Sequence, residues 1–144
     1  MRESYTGNYM KYYQTYKKEQ FSFKLLKETK KLSLKPTTKE IEKYIMFIRK
    51  HFRINAKLTV KLKDELGVNK GVYLKYRKTI IFYGEPDLLT VLHEIRHFIQ
   101  LNTKIIGLNV DIEEEARAWS SSLFYSIFPD EYLKLAKEGK IVFI

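Results

Sequence analysis

The sequence contains no cysteine, and this absence limits the chemistry open to the chain. Without thiols it forms no disulfide bond and offers no thiolate ligand to a metal ion. It also has no apolar run near the roughly 20 residues that cross a bilayer, and no apolar segment typical of a secretory signal follows Met1. We therefore expect no membrane partner and a cytoplasmic location.

Acidic residues are scarce in the first part of the chain. Residues 1–80 hold 21 Lys and Arg against 7 Asp and Glu, whereas residues 81–144 hold 6 against 10. A basic region of this size is typical of proteins that contact phosphate groups, so nucleic acid is a candidate partner of the N-terminal half. Lysine that simply coats a solvated surface would give the same imbalance.

The length of 144 residues is that of one ordinary domain, and the pattern of the chain changes near Pro36. Residues 1–35 mix Tyr, Lys and Phe without a clear period. We expect a basic, tyrosine-rich extension that packs loosely or is partly mobile and that holds one short helix between Gln20 and Lys31. Residues 36–144 carry regular hydrophobic patterns and are expected to form the folded domain.

Hydrophobic spacing predicts an α+β order of elements after Pro36. Thr37 and Glu40 match a capping box, and the apolar residues that follow are spaced for a helix over about residues 38–52. The period then changes to two, which predicts a small three-stranded sheet, antiparallel or mixed. The strands are expected at residues 57–63, 72–76 and 80–83, and three further helices at about 86–101, 111–128 and 129–139.

The strongest chemical signal is His93-Glu94-Ile95-Arg96-His97, within the predicted helix over 86–101. Side chains four positions apart lie on one helix face, about 6 Å from each other, so both imidazoles can bind one zinc ion. Glu94 lies one residue further round the helix, where it can act on a water as a general base. The alternative is an accidental pair of surface histidines. His51, the third histidine, is interpreted as a packing or surface residue.

A zinc ion that activates water needs a third protein ligand, and the run Glu113-Glu114-Glu115-Ala116 at the start of the next helix is the nearest source. With this run, the H-E-x-x-H segment resembles the gluzincin metallopeptidases, whose glutamate helix reads roughly E-x-E-A-D-x-F-A. Minimal archaeal gluzincins and ImmA/IrrE-type proteases show the pattern in small domains. The resemblance covers about residues 72–128, and Trp119 and Ser120 stand at its aromatic and small positions.

The resemblance implies a zincin-like fold, in which the small sheet packs on an active-site helix and a glutamate helix. It implies one Zn2+ per chain, bound by His93, His97 and Glu113. Arg117 stands where the family often has an Asp beside a zinc-bound histidine. Asp111 or Glu114 is an alternative partner for that histidine.

The resemblance also implies zinc-dependent hydrolysis of peptide bonds, with Glu94 as the general base. Relatives use a Tyr or His to stabilise the oxyanion, and the candidates here, unranked, are Tyr83, Tyr125 and Arg117. The segment Ile80-Ile81-Phe82-Tyr83 resembles the strand with which relatives pair an extended peptide or protein substrate.

Three functions compete at this point. The first is a stand-alone peptidase, and the second a regulatory protease of the ImmA/IrrE or SprT kind that acts on DNA-bound proteins. The third is a non-catalytic, basic nucleic-acid-binding module with a zincin scaffold and a structural zinc. Glu94 argues against the third function, because a structural zinc site has no use for a general base.

Overall fold

The computed structural model describes residues 12–65, 70–107 and 109–141, which form an α+β structure as predicted. These ranges contain five α-helices and one three-stranded mixed sheet. The helices are α1 (Phe23–Lys30), α2 (Thr38–His51), α3 (Leu88–Asn102), α4 (Ile112–Ile127) and α5 (Pro129–Lys137), and the strands are β1 (Thr59–Lys63), β2 (Gly71–Leu74) and β3 (Thr79–Tyr83).

The helices α2, α3 and α4 begin after residues whose side chains accept hydrogen bonds from the free backbone N–H groups of the first turn. In α2, Thr37 and Glu40 form the predicted capping box, with bonds of 3.1 and 3.2 Å. Asp87 caps α3, and Asp111 caps α4 by accepting the N–H of Glu113 at 3.0 Å. The first turn of α4 is therefore fixed by the residue just before it.

The sheet has the order β1-β3-β2, with β1 parallel and β2 antiparallel to β3. Ile80 and Phe82 of β3 share one face and are fully buried, so this face packs on the helices. β2 ends two residues earlier than predicted, because residues 75–78 form the turn to β3 and Lys78 takes a positive φ of 45°.

The helices α3 and α4 pack closely against each other. Small side chains at the contact, Ala116 and Ser120, are fully buried and allow the two backbones to approach. On α3, the residues Leu92, Ile95 and Ile99 are fully buried as well. None of the helices in the described ranges has the length and hydropathy that a membrane span requires.

Residues 12–35 differ from the loosely packed extension that the sequence suggested. Phe21 and Leu25 belong to the same core as α3 and α4. The Ser122 hydroxyl donates to the Tyr12 carbonyl and accepts the N–H of Tyr16, both at 3.0 Å. The expected short helix is α1. The hydrophobic period gave no sign of this packing, because an irregular segment can bury apolar side chains that are not regularly spaced. Residues 1–11 of the predicted extension lie outside the described part.

Candidate metal centre

His93, His97 and Glu113 meet where the middle of α3 faces the first turn of α4. Their ligand atoms all lie within 4.8 Å of one another. Nε2 of His93 is 3.2 Å from one carboxylate oxygen of Glu113, and Nε2 of His97 is 2.8 Å from the other. Tetrahedral ligands at zinc bond lengths are about 3.4 Å apart, so a small opening of this cluster would admit the ion.

The cluster is closed on the histidine side and open on the glutamate side. The side chains of His93 and His97 are 12% and 8% exposed, whereas that of Glu113 is 54% exposed. Hydrogen bonds from His93 and His97 hold the pKa of Glu113 far below its usual value. A catalytic metal needs an open position for water, and the exposed Glu113 is where this cluster meets solvent.

Glu94 lies buried beside the two histidines, beneath the edge strand β2. The Glu94 side chain is buried. Burial raises the pKa of its carboxyl group, whereas the neighbouring histidines and a backbone hydrogen bond from Tyr73 act to lower it. A Cβ atom at Gly71 would lie only 3.2 Å from Cγ of Glu94. A glycine at a strand position indicates close backbone approach, which is the signal that the sequence offered for this contact.

The free edge of the sheet near the candidate centre belongs to β2. Tyr83 donates its N–H to the Lys70 carbonyl at 2.9 Å, and the antiparallel register then turns the N–H and C=O groups of Gly71 and Tyr73 outward. Among the described residues, no strand pairs with this edge. The predicted substrate strand, Ile80–Tyr83, is β3, whose two edges are already paired. A peptide therefore cannot add to β3 as predicted, and near the candidate centre the open edge is that of β2.

The partner of His97 on its other ring nitrogen is Gln100, which sequence reasoning did not consider. Nδ1 of His97 lies 2.8 Å from Oε1 of Gln100, and the Gln100 amide nitrogen donates to Glu115 at 2.7 Å and to the Ile112 carbonyl at 2.9 Å. Asp111, one of the two alternatives named from the sequence, caps α4 instead. The available signal was spacing, since Gln100 follows His97 by three positions on one helix face.

Glu115 faces away from the metal ligands and binds Arg96. Two hydrogen bonds of 2.8 Å join the guanidinium to both carboxylate oxygens, and Tyr16 donates its hydroxyl to the same carboxylate. Arg96 also lies over the Trp119 ring, 4.8 Å from its centroid. Burial, together with the bond to Glu115, raises the pKa of Tyr16 to about 12. Of the three consecutive glutamates, Glu113 faces the histidines and Glu115 has a structural partner.

The three candidate oxyanion donors take different positions. Tyr125 lies in an aromatic cluster with its ring 4.5 Å from that of Tyr13, and it is twelve residues after Glu113, or about 18 Å along the helix. Tyr83 points to the sheet face opposite to the helices, because strand neighbours alternate and the residue before it lies in the core. Arg117 follows Glu113 by four positions on the same helix face. Of the three candidates, Arg117 is the one that helix spacing puts within one turn of Glu113.

Comparisons with protein-family models, with curated proteins and with solved structures find no match to this chain. Its function is therefore inferred from the residues of the site and from the resemblance of their motif.

Proposed function

We propose that the chain is a zinc-dependent metallopeptidase of the gluzincin kind. The observation that carries the proposal is the meeting of three ligand atoms, two imidazole nitrogens and one carboxylate oxygen, within 4.8 Å beside the buried Glu94. His93, His97 and Glu113 would hold the zinc ion, which would supply a Lewis acid able to polarise a carbonyl and activate water. The exposed side of Glu113 supports a catalytic role rather than a structural one, since a structural zinc site is closed by a fourth protein ligand.

In this proposal Glu94 is the general base. It follows His93 directly on α3, so its carboxylate lies beside the metal ligands without being one of them. Packing under β2 keeps the side chain in one place, because Gly71 lies close to its Cγ atom. Glu94 accepts the proton of the attacking water and passes it to the leaving amine.

The proposed substrate is an extended peptide segment that adds to the outer edge of β2. Gly71 presents its backbone N–H and C=O groups there and Tyr73 presents its C=O group, since the Tyr73 N–H already bonds Glu94, so main-chain hydrogen bonds would supply most of the contact. Arg117 is the proposed donor to the oxyanion, because it lies one helical turn beyond Glu113 on the same face. In this arrangement the peptide, the base and the metal ligands would lie on one side of α3.

Two glutamine substitutions test the proposal. Glu113→Gln is expected to lower zinc occupancy and hydrolysis together, whereas Glu94→Gln is expected to keep zinc and lose hydrolysis, because it removes the base and no ligand. Zinc per chain is measured by elemental analysis, and hydrolysis with a mixture of fluorogenic peptides. Glu114→Gln is the matched control and should retain both properties. Hydrolysis by Glu94→Gln at the parent rate contradicts the peptidase proposal.

The ligand assignment has a separate test. The double variant His93→Ala with His97→Ala is expected to bind no zinc at this site, because it removes two of three ligands. Full zinc occupancy in that variant contradicts the metal centre.

A second candidate function, a regulatory protease that acts on DNA-bound proteins, is favoured by the turn between β2 and β3. This turn holds three cations in the sequence Lys75-Tyr76-Arg77-Lys78, and its Tyr76 side chain is 91% exposed. Lys75 lies over the Tyr76 ring, with Nζ 5.0 Å from the centroid. Cations beside an exposed aromatic ring suit phosphate contacts and base stacking, so this turn is the proposed contact with nucleic acid.

A further inference from the structure

The amide group of Gln100 has only one orientation that fits its surroundings. Its nitrogen donates to the Ile112 carbonyl and to the Glu115 carboxylate, and both of these groups can only accept hydrogen bonds. A reversed amide would place Oε1 against two oxygen atoms. Oε1 therefore faces His97, 2.8 Å from Nδ1. Because Oε1 can only accept, Nδ1 of His97 must carry a proton, which leaves Nε2 on the side of Glu113 to bind a metal.

Glu115 accepts a hydrogen bond from Gln100 and is itself held in place by Arg96. Its side chain is 8% exposed and its partner Arg96 is 4% exposed, so both charges are buried and neutralise each other in a bidentate pair. Arg96 and Gln100 belong to α3, and Glu115 belongs to α4. The pair and the Gln100 bonds thus join the two helices at the level of the metal ligands.

The N-terminal segment also contacts Glu115. Tyr16 donates its hydroxyl to the second oxygen of Glu115, and its backbone N–H donates to Ser122 at 3.0 Å. A continuous chain of hydrogen bonds consequently runs from Tyr16 through Glu115 and Gln100 to His97. Residues far before the H-E-x-x-H segment in sequence take part in holding it.

We infer that Gln100 is a positioning residue that fixes the proton of His97 on Nδ1, and that Glu115, Arg96 and Tyr16 hold Gln100 in place. This inference rests on the proposed function only in taking zinc as the ion. A partner of this kind on a metal-bound histidine contributes about 10- to 100-fold to metal affinity. Loss of the Tyr16 hydroxyl acts one step further from the metal and is expected to cost less, about two- to fivefold.

Gln100→Met is the direct test, because methionine keeps the length and helix propensity of glutamine but makes no comparable hydrogen bonds. Zinc affinity is measured by competition with a chromophoric chelator, and the Nδ1 proton of His97 is followed by proton NMR in the zinc-loaded chain. Gln100→Met is expected to bind zinc about 10- to 100-fold more weakly and to exchange its Nδ1 proton rapidly with water. The matched control is Gln14→Met at an exposed position, which should change neither property.

A purely structural role for Gln100 would lower stability without changing proton exchange at His97. Parent-like zinc affinity in Gln100→Met, or a Nδ1 proton that exchanges equally slowly in variant and parent, overturns the inference while leaving the proposed metal site intact. A parent chain that binds no zinc overturns both. Tyr16→Phe removes a single hydroxyl and provides the second variant. It should lower zinc affinity less than Gln100→Met does, and unchanged affinity would remove Tyr16 from the chain of positioning residues.

Discussion

Replacing Gly71 with alanine adds one methyl group between β2 and α3. The new Cβ atom would lie 3.0 Å from Cγ2 of Thr90, 3.1 Å from Cδ1 of Phe82 and 3.2 Å from Cγ of Glu94. Carbon atoms in favourable contact are about 3.5–4.0 Å apart, so each neighbour must move by several tenths of an ångström. Phe82 is fully buried and has little freedom to move. Part of the displacement is therefore expected to fall on Glu94.

Two opposing effects set the size of the change in stability. Overpacking a buried contact costs about 1–3 kcal/mol, whereas alanine restricts the unfolded chain and stabilises by about 0.4–1 kcal/mol. We expect Gly71→Ala to lower the free energy of unfolding by about 0.5–2 kcal/mol. A displacement of 1 Å in a catalytic group can cost about 100-fold in rate, so a shift of a few tenths in Glu94 is expected to slow hydrolysis about three- to tenfold.

Urea denaturation, zinc analysis and peptide hydrolysis together separate these effects. Gly71→Ala should keep zinc, since neither histidine is among the crowded neighbours. The matched control is Gly107→Ala, whose Cβ atom would meet, among the described residues, only Val110, at an ordinary 3.8 Å. A Gly71→Ala chain as stable and as active as the parent would refute the close approach of β2 to Glu94.

Three further predictions concern the rest of the molecule. Tyr44→Phe should destabilise the chain by about 1 kcal/mol in urea denaturation, because it removes a buried hydrogen bond. The Thr29 hydroxyl already donates to the Leu25 carbonyl, so it must accept the proton of the Tyr44 hydroxyl. An unchanged denaturation midpoint would exclude this bond. Backbone hydrogen bonds in the capping box lower the pKa of Glu40, so its stabilising contribution should be present above about pH 4.3 and be lost as the pH falls through the folded value. Thermal melts of Glu40→Gln should lack that part of the pH dependence, and identical profiles would argue against it. Arg77→Glu should weaken binding to single-stranded DNA and flatten its salt dependence, whereas Lys134→Glu on α5 should do neither. An equal loss of affinity in both variants would mean that DNA binds to the basic surface in general and not to this turn.

Local sequence patterns predicted which residues meet in the candidate cluster, but not the residues that support them. The spacing of His93 and His97 follows directly from helix geometry, and the family pattern assigned Glu113 as the glutamate that faces them, where the structure has it. Gln100 and Glu115 escaped notice because their roles depend on how α3 meets α4. No period within one helix reports a hydrogen bond to another helix.

Strand order was the other feature that the sequence could not supply. Hydrophobic alternation predicted a three-stranded sheet in an α+β structure, and both the number of strands and the fold class are confirmed. Alternation does not report the order of the strands within the sheet. The run Ile80–Tyr83 is mostly buried and apolar, which is typical of a central strand and should have argued against a substrate-binding edge. The close contact of Gly71 with Glu94 likewise depends on where β2 lies.

Anomalous diffraction at the zinc absorption edge, from crystals of the chain grown with zinc, tests the metal centre most directly. The account predicts one ion per chain, about 2.0–2.1 Å from Nε2 of His93 and of His97, about 2.0–2.2 Å from a carboxylate oxygen of Glu113, and completed by a water molecule. An ion bound by other residues, or a fourth protein ligand in place of the water, would contradict a catalytic zinc at this site.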